Sequence, residues 1–279
     1  MIIDIHAHPL FRDVYPGKRS EEELKPPKDY ILTYARFHKG ELKLLTLGEF
    51  LERKEKAKVD KVVIFVRDDE TFSGIKPPNE WVAELAKEYS QHFIPFYAID
   101  PNKGAIGAQA LRNACETLGF KGAKIHPYAA RMYPNDPRAH PIYKTASDLG
   151  IPILFHSGPG PVGTRIDYCR PIFLDDVALE FPDLKIIIAH FSGPWYMETH
   201  ALAWRHENVY VDISFYPEAF IKSLPWQLFE ETIPDKILFG TDYPFNLPDD
   251  RVKLVEKLPL SDKTKRMILG ENARKLLSI

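Results

Sequence analysis

The chain has few cysteines, with only Cys115 and Cys169 among 279 residues. They form no CxxC pair and are too few for a disulfide framework, so we expect reduced thiols and a cytoplasmic protein. No apolar run reaches the roughly 18 residues that a membrane span needs, and no basic, apolar leader precedes Asp4, so we expect neither membrane insertion nor secretion. An excess of positive charge is also absent: 37 Lys and Arg oppose 39 Asp and Glu. This balance argues against a nucleic-acid or membrane-surface partner.

Several functional motifs are missing as well. The sequence contains no GxxxxGKS/T phosphate loop, no GxGxxG between a strand and a helix, and no GxSxG nucleophile elbow. Ser157 and Ser192 each follow a histidine, but neither lies in such an elbow. Glycine (15) and methionine (4) are sparse beside 24 prolines, a composition compatible with a thermophile host.

What the sequence does contain is a regular alternation of short apolar runs and helical patterns. Hydrophobic residues make up 44% of the chain, enough for a large core. Eight strands are predicted at 2–6, 62–66, 93–99, 122–126, 151–156, 185–190, 209–214 and 236–241, with amphipathic helices between them. We therefore predict an α/β fold, a single (β/α)8 TIM barrel that spans 1–279 as one domain. An open doubly wound sheet is the alternative.

One irregular stretch, residues 9–45, separates the first strand from a helix predicted to start near Thr46. Because this insert follows a strand, it should lie over the mouth of the barrel where the carboxyl ends of the strands meet. Long inserts of this kind are usually functional. We expect an active-site lid, and a surface excursion without function is the alternative.

Ionisable side chains end four of the predicted strands. His6 and His8 are two residues apart on one strand and so point to the same face, where they could share a metal. His156, His190 and Asp242 stand at the equivalent ends of other strands. Imidazole nitrogens with one carboxylate suit zinc or a similar divalent ion. Individually, His190 could be a core histidine and Asp242 a helix cap, but those explanations do not account for the shared position.

The motifs HAH at His6, LFHSG at His156, IIAHFSG at His190, GTDYPF at Asp242 and the closing LGENARKLL resemble the amidohydrolase superfamily. The resemblance is to its amidohydrolase-related branch, which includes aminocarboxymuconate-semialdehyde decarboxylase, resorcylate decarboxylases and assorted hydrolases. It extends from His6 to the C-terminus, apart from the insert. It is specific to the superfamily and does not identify a substrate.

The resemblance implies roles for particular residues. His6, His8, His156 and Asp242 would bind one divalent ion, with Zn²⁺ preferred and Mn²⁺, Fe²⁺ or Co²⁺ as alternatives. His190 would be the catalytic base, and Asp242 would share in proton transfer.

Lys124 and His126 share a strand face and leave the metal count open. In other branches a lysine at such a position is carboxylated and bridges two metals, and His156 and His190 would then serve a second ion. Alternatively, Lys124 binds a substrate carboxylate as a free cation and His126 packs behind the site. We predict one ion per chain, because His190 then stays available as a base.

Candidate substrate-binding residues are the loop arginines Arg67, Arg131 and Arg165, together with Lys124, since guanidinium groups bind carboxylates with two hydrogen bonds. Each arginine could instead form an ordinary surface ion pair. Aromatic residues border the same loops and could stack on a flat ring or pack the loops.

These inferences predict a metal-dependent hydrolase that opens a small, carboxylate-bearing amide, ester or lactone with metal-activated water. The first alternative is a metal-dependent non-oxidative decarboxylase of an aromatic or unsaturated carboxylic acid. The second is a metal-binding barrel without catalysis. The partner is a small-molecule substrate, and we expect a homodimer from the resemblance and from the proline- and aromatic-rich loops.

Overall fold

The computed structural model describes residues 1–14, 28–37 and 41–279. Every predicted strand is present, although most are shorter than predicted. The third is interrupted at Phe96 and gives two segments. The strands are β1 (Ile2–Ala7), β2 (Val59–Ile64), β3 (Phe93–Pro95), β4 (Tyr97–Ala98), β5 (Ala123–Ile125), β6 (Ile153–Phe155), β7 (Ile186–Ile188), β8 (Val209–Asp212) and β9 (Ile237–Leu238).

All the strands pair in parallel, in the order β1-β2-β3 and then β4 through β9. The interruption at Phe96 joins these two groups. The Phe96 N–H donates to Ile64 O of β2 at 2.9 Å, and the next N–H, of Tyr97, donates to Gly122 O ahead of β5 at 2.8 Å. One continuous strand therefore pairs with a neighbour on each side.

The last strand also pairs with the first. The Ile5 N–H donates to Phe239 O at 2.9 Å, and the His8 N–H donates to Tyr243 O at 2.8 Å. These bonds close the sheet into the predicted barrel and exclude the open doubly wound alternative.

Helices cover the outside of the barrel. Where the sequence predicts helices at 81–90, 106–118, 141–149, 175–181 and 196–205, the structure has one at each place. The helices are α1 (Lys28–Phe37), α2 (Leu47–Lys56), α3 (Glu70–Ser73), α4 (Asn79–Glu88), α5 (Gly104–Leu118), α6 (Pro127–Ala130), α7 (His140–Asp148), α8 (Leu174–Glu180), α9 (Tyr196–Arg205), α10 (Glu218–Ser223), α11 (Trp226–Thr232), α12 (Pro248–Glu256), α13 (Asp262–Arg266) and α14 (Asn272–Leu277).

Local chemistry explains where α2 begins. The Thr46 hydroxyl accepts a hydrogen bond from the Glu49 N–H at 3.1 Å, and the Glu49 carboxylate accepts one from the Thr46 N–H at 2.7 Å. This reciprocal cap satisfies two backbone donors that a helix start leaves unpaired. The helix therefore starts where the sequence predicted.

The sequence predicts a helix that Ser261 caps and Gly270 breaks, followed by a final amphipathic turn or two at 272–277. The final helical segment is present, but the predicted break at Gly270 is wrong. The chain passes through it in a π-helical turn, Met267–Glu271, and continues as α14. A Cβ on Gly270 would lie 2.0 Å from Met1 O, so glycine is needed there because the first strand approaches the turn closely.

The apolar core has two parts. The larger cluster of buried residues lies between the sheet and the helices, and a smaller cluster fills the barrel interior. That inner cluster consists of Ile3, Ile5, Val63, Phe65, Ile94, Phe96, Leu154, Ile187, Ala189, Leu238, Ala273 and Leu276. Because the interior is filled, the barrel is a solid support, and polar side chains can converge only at its mouth.

Part of the predicted lid insert lies over that mouth. Helix α1 belongs to it, and Asp29 and Tyr30 of this helix line the central cavity. Residues 15–27 and 38–40 of the insert lie outside the described residues, and the lid role stays a prediction. Among the described helices, none is both long and apolar enough to cross a bilayer.

Candidate metal centre and active site

Five histidines form a closed ring at the mouth of the barrel. The distance between centroids of neighbouring rings ranges from 4.7 to 6.2 Å. Going round, the order is His6, His8, His126, His156 and His190, returning to His6. The structure thus brings the strand-end histidines together and adds His126, which the sequence left as a packing residue.

Strand geometry explains the placement of most of these residues. His6 lies within β1 and His8 immediately follows it, while His156 follows β6 and His126 follows β5. The carboxyl ends of parallel strands meet at one rim, so these side chains converge. Asp242 lies four residues after β9 and reaches the same point.

His190 reaches the ring through a strained turn. His190, Phe191 and Ser192 have φ values of 61°, 46° and 47°, in the left-handed region that costs a residue other than glycine about 1 kcal/mol or more. The Asp212 carboxylate accepts the His190 N–H at 2.9 Å and thereby helps to hold the turn.

Nitrogen atoms of His6 and His8 that could bind a metal both lie close to one carboxylate oxygen of Asp242. His6 Nε2 lies 3.3 Å and His8 Nε2 3.2 Å from Asp242 Oδ1, yet this buried oxygen has no hydrogen-bond partner among the described residues. His6 Nδ1 lies 2.7 Å from the Asp212 carboxylate, which only accepts hydrogen bonds. Nδ1 therefore carries the hydrogen, and the lone pair on Nε2 faces the oxygen of Asp242.

A lone pair that faces an unpaired carboxylate oxygen is unfavourable unless a cation lies between them. The donors present, imidazole nitrogens and one carboxylate, are ones that zinc, manganese and similar ions accept. The residues at the mouth therefore fit a divalent metal.

Two donor sets meet at this position. His6, His190 and Asp242 each offer a ligand atom within 4.8 Å of the others. The resemblance instead assigns His8 and His156 beside His6 and Asp242, and His156 Nε2 is a buried nitrogen without a hydrogen-bond partner in the described chain. The sets share His6 and Asp242, and the assignment of the remaining ligands stays a prediction.

The electrostatics of the ring favour neutral imidazoles. Burial lowers the pKa values of His6, His126, His156 and His190 well below 6.5. Neutral imidazole is the form that binds metals. Burial raises the pKa of Asp242, but its interactions with His6, His8 and Lys124 outweigh burial, and the net shift of the Asp242 pKa is downward.

Lys124 lies beneath the ring, fully buried. Its Nζ is 3.4 Å from His6 Nε2 and 4.7 Å from the centroid of the Phe65 ring. Burial lowers the pKa of Lys124 to about 8. Lys124 is therefore in contact with the candidate metal centre, where the sequence placed it.

Above the ring is a cavity of about 490 Å³, counting the space open to solvent, and many of its walls are aromatic. Tyr30 of α1 stacks on Phe245 with a ring separation of 5.2 Å, and Phe215 meets Phe245 edge-on at 5.1 Å. Tyr128 packs edge-on against His156 at 4.8 Å. Flat apolar walls of this kind suit a small molecule that contains a planar ring.

The three candidate arginines differ in position. Arg67 pairs with Asp29 of α1 at 2.5 Å and borders a second cavity that shares His8 and Tyr30 with the first.

Arg131 and Arg165 do not line the central cavity. Arg131 lies over the Phe72 ring at 4.3 Å, and Arg165 is 61% exposed and pairs with Asp167 at 2.7 Å. Their proposed contact with substrate stays a prediction that this geometry does not support.

Sequence reasoning missed Asp212, Ser214, Asp4 and Tyr30. Asp212 and Ser214 hold His6 and His190 from behind, and Asp4 accepts hydrogen bonds from Thr241 N at 3.0 Å and Oγ1 at 2.6 Å. A signal existed for Asp212, because it ends β8 as a polar residue just as the histidines end their strands. Tyr30 had no such signal, because it lies in the irregular insert.

A closed parallel barrel with converging histidines and an aspartate at its mouth is the architecture of metal-dependent barrel enzymes. The chain belongs to the amidohydrolase family, since the model described as Amidohydrolase matches residues 3–279. The resemblance stated from the motifs is thereby confirmed.

Among curated proteins, the chain is similar to a gamma-resorcylate decarboxylase from Polaromonas sp., with 22% identity over 72% of this chain and 75% of the relative. Among solved structures, it resembles an uncharacterised TIM-barrel protein from Bordetella bronchiseptica (TM-score 0.79, 25% identity, 99% and 98% of the two chains). A dihydroxybenzoic acid decarboxylase from Polaromonas sp., solved with manganese and 2-nitroresorcinol, also matches (TM-score 0.70, 18% identity, 99% and 96% of the chains).

These relatives correct the expected reaction. The prediction of a hydrolase is wrong, because the curated relatives are named as decarboxylases. The physical reason is that strand-end histidines and an aspartate hold a metal for either reaction. Which bond breaks depends on the cavity walls, which other loops supply. An enzyme and a divalent metal remain supported, whereas zinc, the homodimer, the cytoplasmic location and the thermophile host stay predictions.

Proposed function

We propose that this protein is a metal-dependent, non-oxidative decarboxylase of a small aromatic carboxylic acid. The observation that carries the proposal is a metal-suited donor set at the base of an aromatic-walled cavity, in a chain whose curated relatives are decarboxylases. The likeness to the dihydroxybenzoic acid decarboxylase supports a ring-containing substrate.

In this reaction the bond between the ring carbon and the carboxyl carbon breaks, and its electron pair stays on the ring. The ring carbon takes up one proton, and carbon dioxide leaves. A bound divalent cation supplies the positive charge that holds the carboxylate. The chain must then hold the ring, exclude water and deliver the proton.

The cavity walls perform the first two tasks. The stacked Tyr30 and Phe245, with Phe215 at their edge, form an apolar wall that a flat ring can contact. All three side chains are at most 9% exposed. Such walls favour a planar substrate over an extended one and keep water away from the ring carbon.

His190 is the proposed proton carrier. Its Nδ1 lies 2.7 Å from Ser214 Oγ, so this atom is already bonded. Nε2, which lies 3.2 Å from His156 Nδ1, is the atom we propose to take up a proton from water and pass it to the ring carbon. His190 lines the cavity directly, as this role requires.

We further propose one divalent ion per chain, with manganese as the first candidate because a similar solved structure binds manganese. Lys124 then acts as a buried amine beside His6 and not as a carboxylated bridge. Metal analysis of protein purified without chelator should give about one ion per chain. About two ions, with loss of metal in Lys124→Met, would contradict this count.

The reaction is tested by incubating manganese-loaded protein with a panel of hydroxylated benzoic acids and, in parallel, aromatic lactones. We expect carbon dioxide release with equimolar formation of the decarboxylated arene, and no product in the presence of a chelator. Lactone opening without carbon dioxide release from any of the acids would contradict the proposal.

A further inference from the structure

Asp212 and Ser214 lie behind the ring of five histidines. Both are fully buried. Neither lines the central cavity, so neither can touch a substrate there. Each nevertheless contacts His6 and His190, the two histidines for which different roles are proposed.

The contacts of Asp212 are well defined. Its Oδ2 lies 2.7 Å from His6 Nδ1. Its Oδ1 accepts the backbone N–H of His190 at 2.9 Å and that of Ser214 at 2.9 Å, and it also accepts the Ser214 hydroxyl. The carboxylate therefore joins the metal side of the site to the proton-transfer side.

The direction of these bonds follows from donor counting. A carboxylate only accepts, so the single hydrogen of the Ser214 hydroxyl is committed to Asp212. Toward His190 Nδ1, 2.7 Å away, Ser214 Oγ can then only accept. Nδ1 of His190 must carry the hydrogen, as Nδ1 of His6 does.

We propose that Asp212, with Ser214, is a positioning residue that sets the tautomers of both His6 and His190. This assignment leaves a lone pair on Nε2 of each ring. In His6 this nitrogen faces Asp242. In His190 it lies 3.2 Å from His156 Nδ1 and is the nitrogen proposed to carry the proton. The proton-transfer half rests on the proposed function. The half that concerns the metal ligand does not.

The tautomers are measured by NMR on protein labelled with ¹⁵N-histidine and loaded with zinc, which is diamagnetic. In the wild type we expect Nδ1 of His6 and His190 to carry a hydrogen and Nε2 to carry none. Variants that lack His6 or His190 assign the ¹⁵N signals of these two rings, because each variant loses one set of signals. A wild-type His190 with its hydrogen on Nε2 would overturn the proposal.

Two variants separate the effect on His190 from the effect on His6 and the metal. Ser214→Ala should leave the His6 tautomer and the metal Kd within twofold, mix the His190 tautomers, and lower kcat about 10-fold or more with little change in KM. Asp212→Asn should disturb both rings and raise the metal Kd about 10- to 100-fold. If Asp212→Asn does not fold, Ser214→Ala still tests the assignment.

Ser192→Ala is the matched control. Ser192 is a buried serine two residues from His190, and its hydroxyl has no hydrogen-bond partner among the described residues. This variant should leave tautomers, metal Kd and kcat unchanged. Identical behaviour of Ser214→Ala and Ser192→Ala would refute the proposal. Failure to find any decarboxylation would refute the proposed function alone, because the NMR and metal-binding measurements need no substrate.

Discussion

The two sides of the ring of five histidines differ in how the protein holds their side chains. On one side, His6 and His190 are held from behind by the Asp212 network. On the other, His126 Nδ1 and His156 Nε2 are buried nitrogens that lack hydrogen-bond partners among the described residues. We call the side of His6 and His190 the braced side, because the protein itself orients both rings. On the other side, His126 Nδ1 and His156 Nε2 are available to a water molecule, a metal or a substrate.

This difference has an energetic consequence. A buried polar atom without a partner costs about 1–3 kcal/mol. Catalytic groups work best when their geometry is fixed in advance. We infer that the braced side contributes mainly to metal binding and to the rate, and that His126 on the other side contributes mainly to substrate affinity. The predictions below test that division, beginning with the largest effect.

The largest effect is expected from Asp242→Ala, because this residue faces His6 and His8 together. Without the Asp242 carboxylate, the candidate metal ligands named above would all be imidazole nitrogens, and none would carry a negative charge. We expect loss of bound metal and loss of activity to background. Metal content by mass spectrometry and carbon dioxide release measure the two effects.

Stability provides the control for that variant. Manganese bound to the folded state, as proposed, should raise the Tm of the wild type in a concentration-dependent manner. Asp242→Ala should fold but lose this shift. A variant that keeps both metal and activity would show that the site has been placed incorrectly.

The next effect concerns His190→Ala. Removal of a proton carrier should lower kcat by about 100- to 10,000-fold. One metal ion per chain should remain bound, because the resemblance gives the metal other ligands. Steady-state kinetics and metal analysis distinguish the outcomes. Loss of the metal together with activity would make His190 a ligand, as its proximity to His6 and Asp242 allows.

Much of the ring of five histidines could be predicted from the sequence, and the reason is periodicity. His6 and His8 lie on one face because strand side chains alternate, and strand ends converge in any parallel barrel. Asp212 escaped because its partners are 206 and 22 residues away in the chain, and pairing over such distances leaves no local pattern.

The aromatic wall and the reaction were harder to predict. Tyr30 lies in the insert and stacks on Phe245, which is more than 200 residues further along the chain. No periodic pattern relates an irregular insert to the loop it covers. Because the same strand-end histidines and aspartate can hold a metal for either reaction, the motifs at the strand ends could not separate a hydrolase from a decarboxylase.

On the less braced side, His126→Ala should have a moderate effect. The ring lies between His8 and His156 and lines the cavity. Its loss should raise KM about 10-fold, the equivalent of one hydrogen bond to the ligand, with kcat and metal content nearly unchanged. His200→Ala, on α9 outside the cavity, is the control. A large fall in kcat would contradict the division between the two sides.

The smallest effects are expected from the arginines, and here the structure ranks three residues that the sequence treated alike. Arg67 pairs with Asp29 of α1, and Asp29 lines the central cavity. Arg67→Ala should therefore raise KM about 10-fold by loosening the wall. Arg131 lies over Phe72 and Arg165 is mostly exposed beside Asp167.

Exposed ion pairs contribute only about 0–1 kcal/mol, so Arg165→Ala should change KM by less than about threefold. Arg131→Ala should behave in the same way, because its partner is an aromatic ring outside the central cavity. Steady-state kinetics on the best substrate of the panel rank all three variants. If Arg131→Ala or Arg165→Ala raised KM more than Arg67→Ala, the substrate would have to extend beyond the aromatic cavity, and the central cavity could not by itself account for substrate recognition.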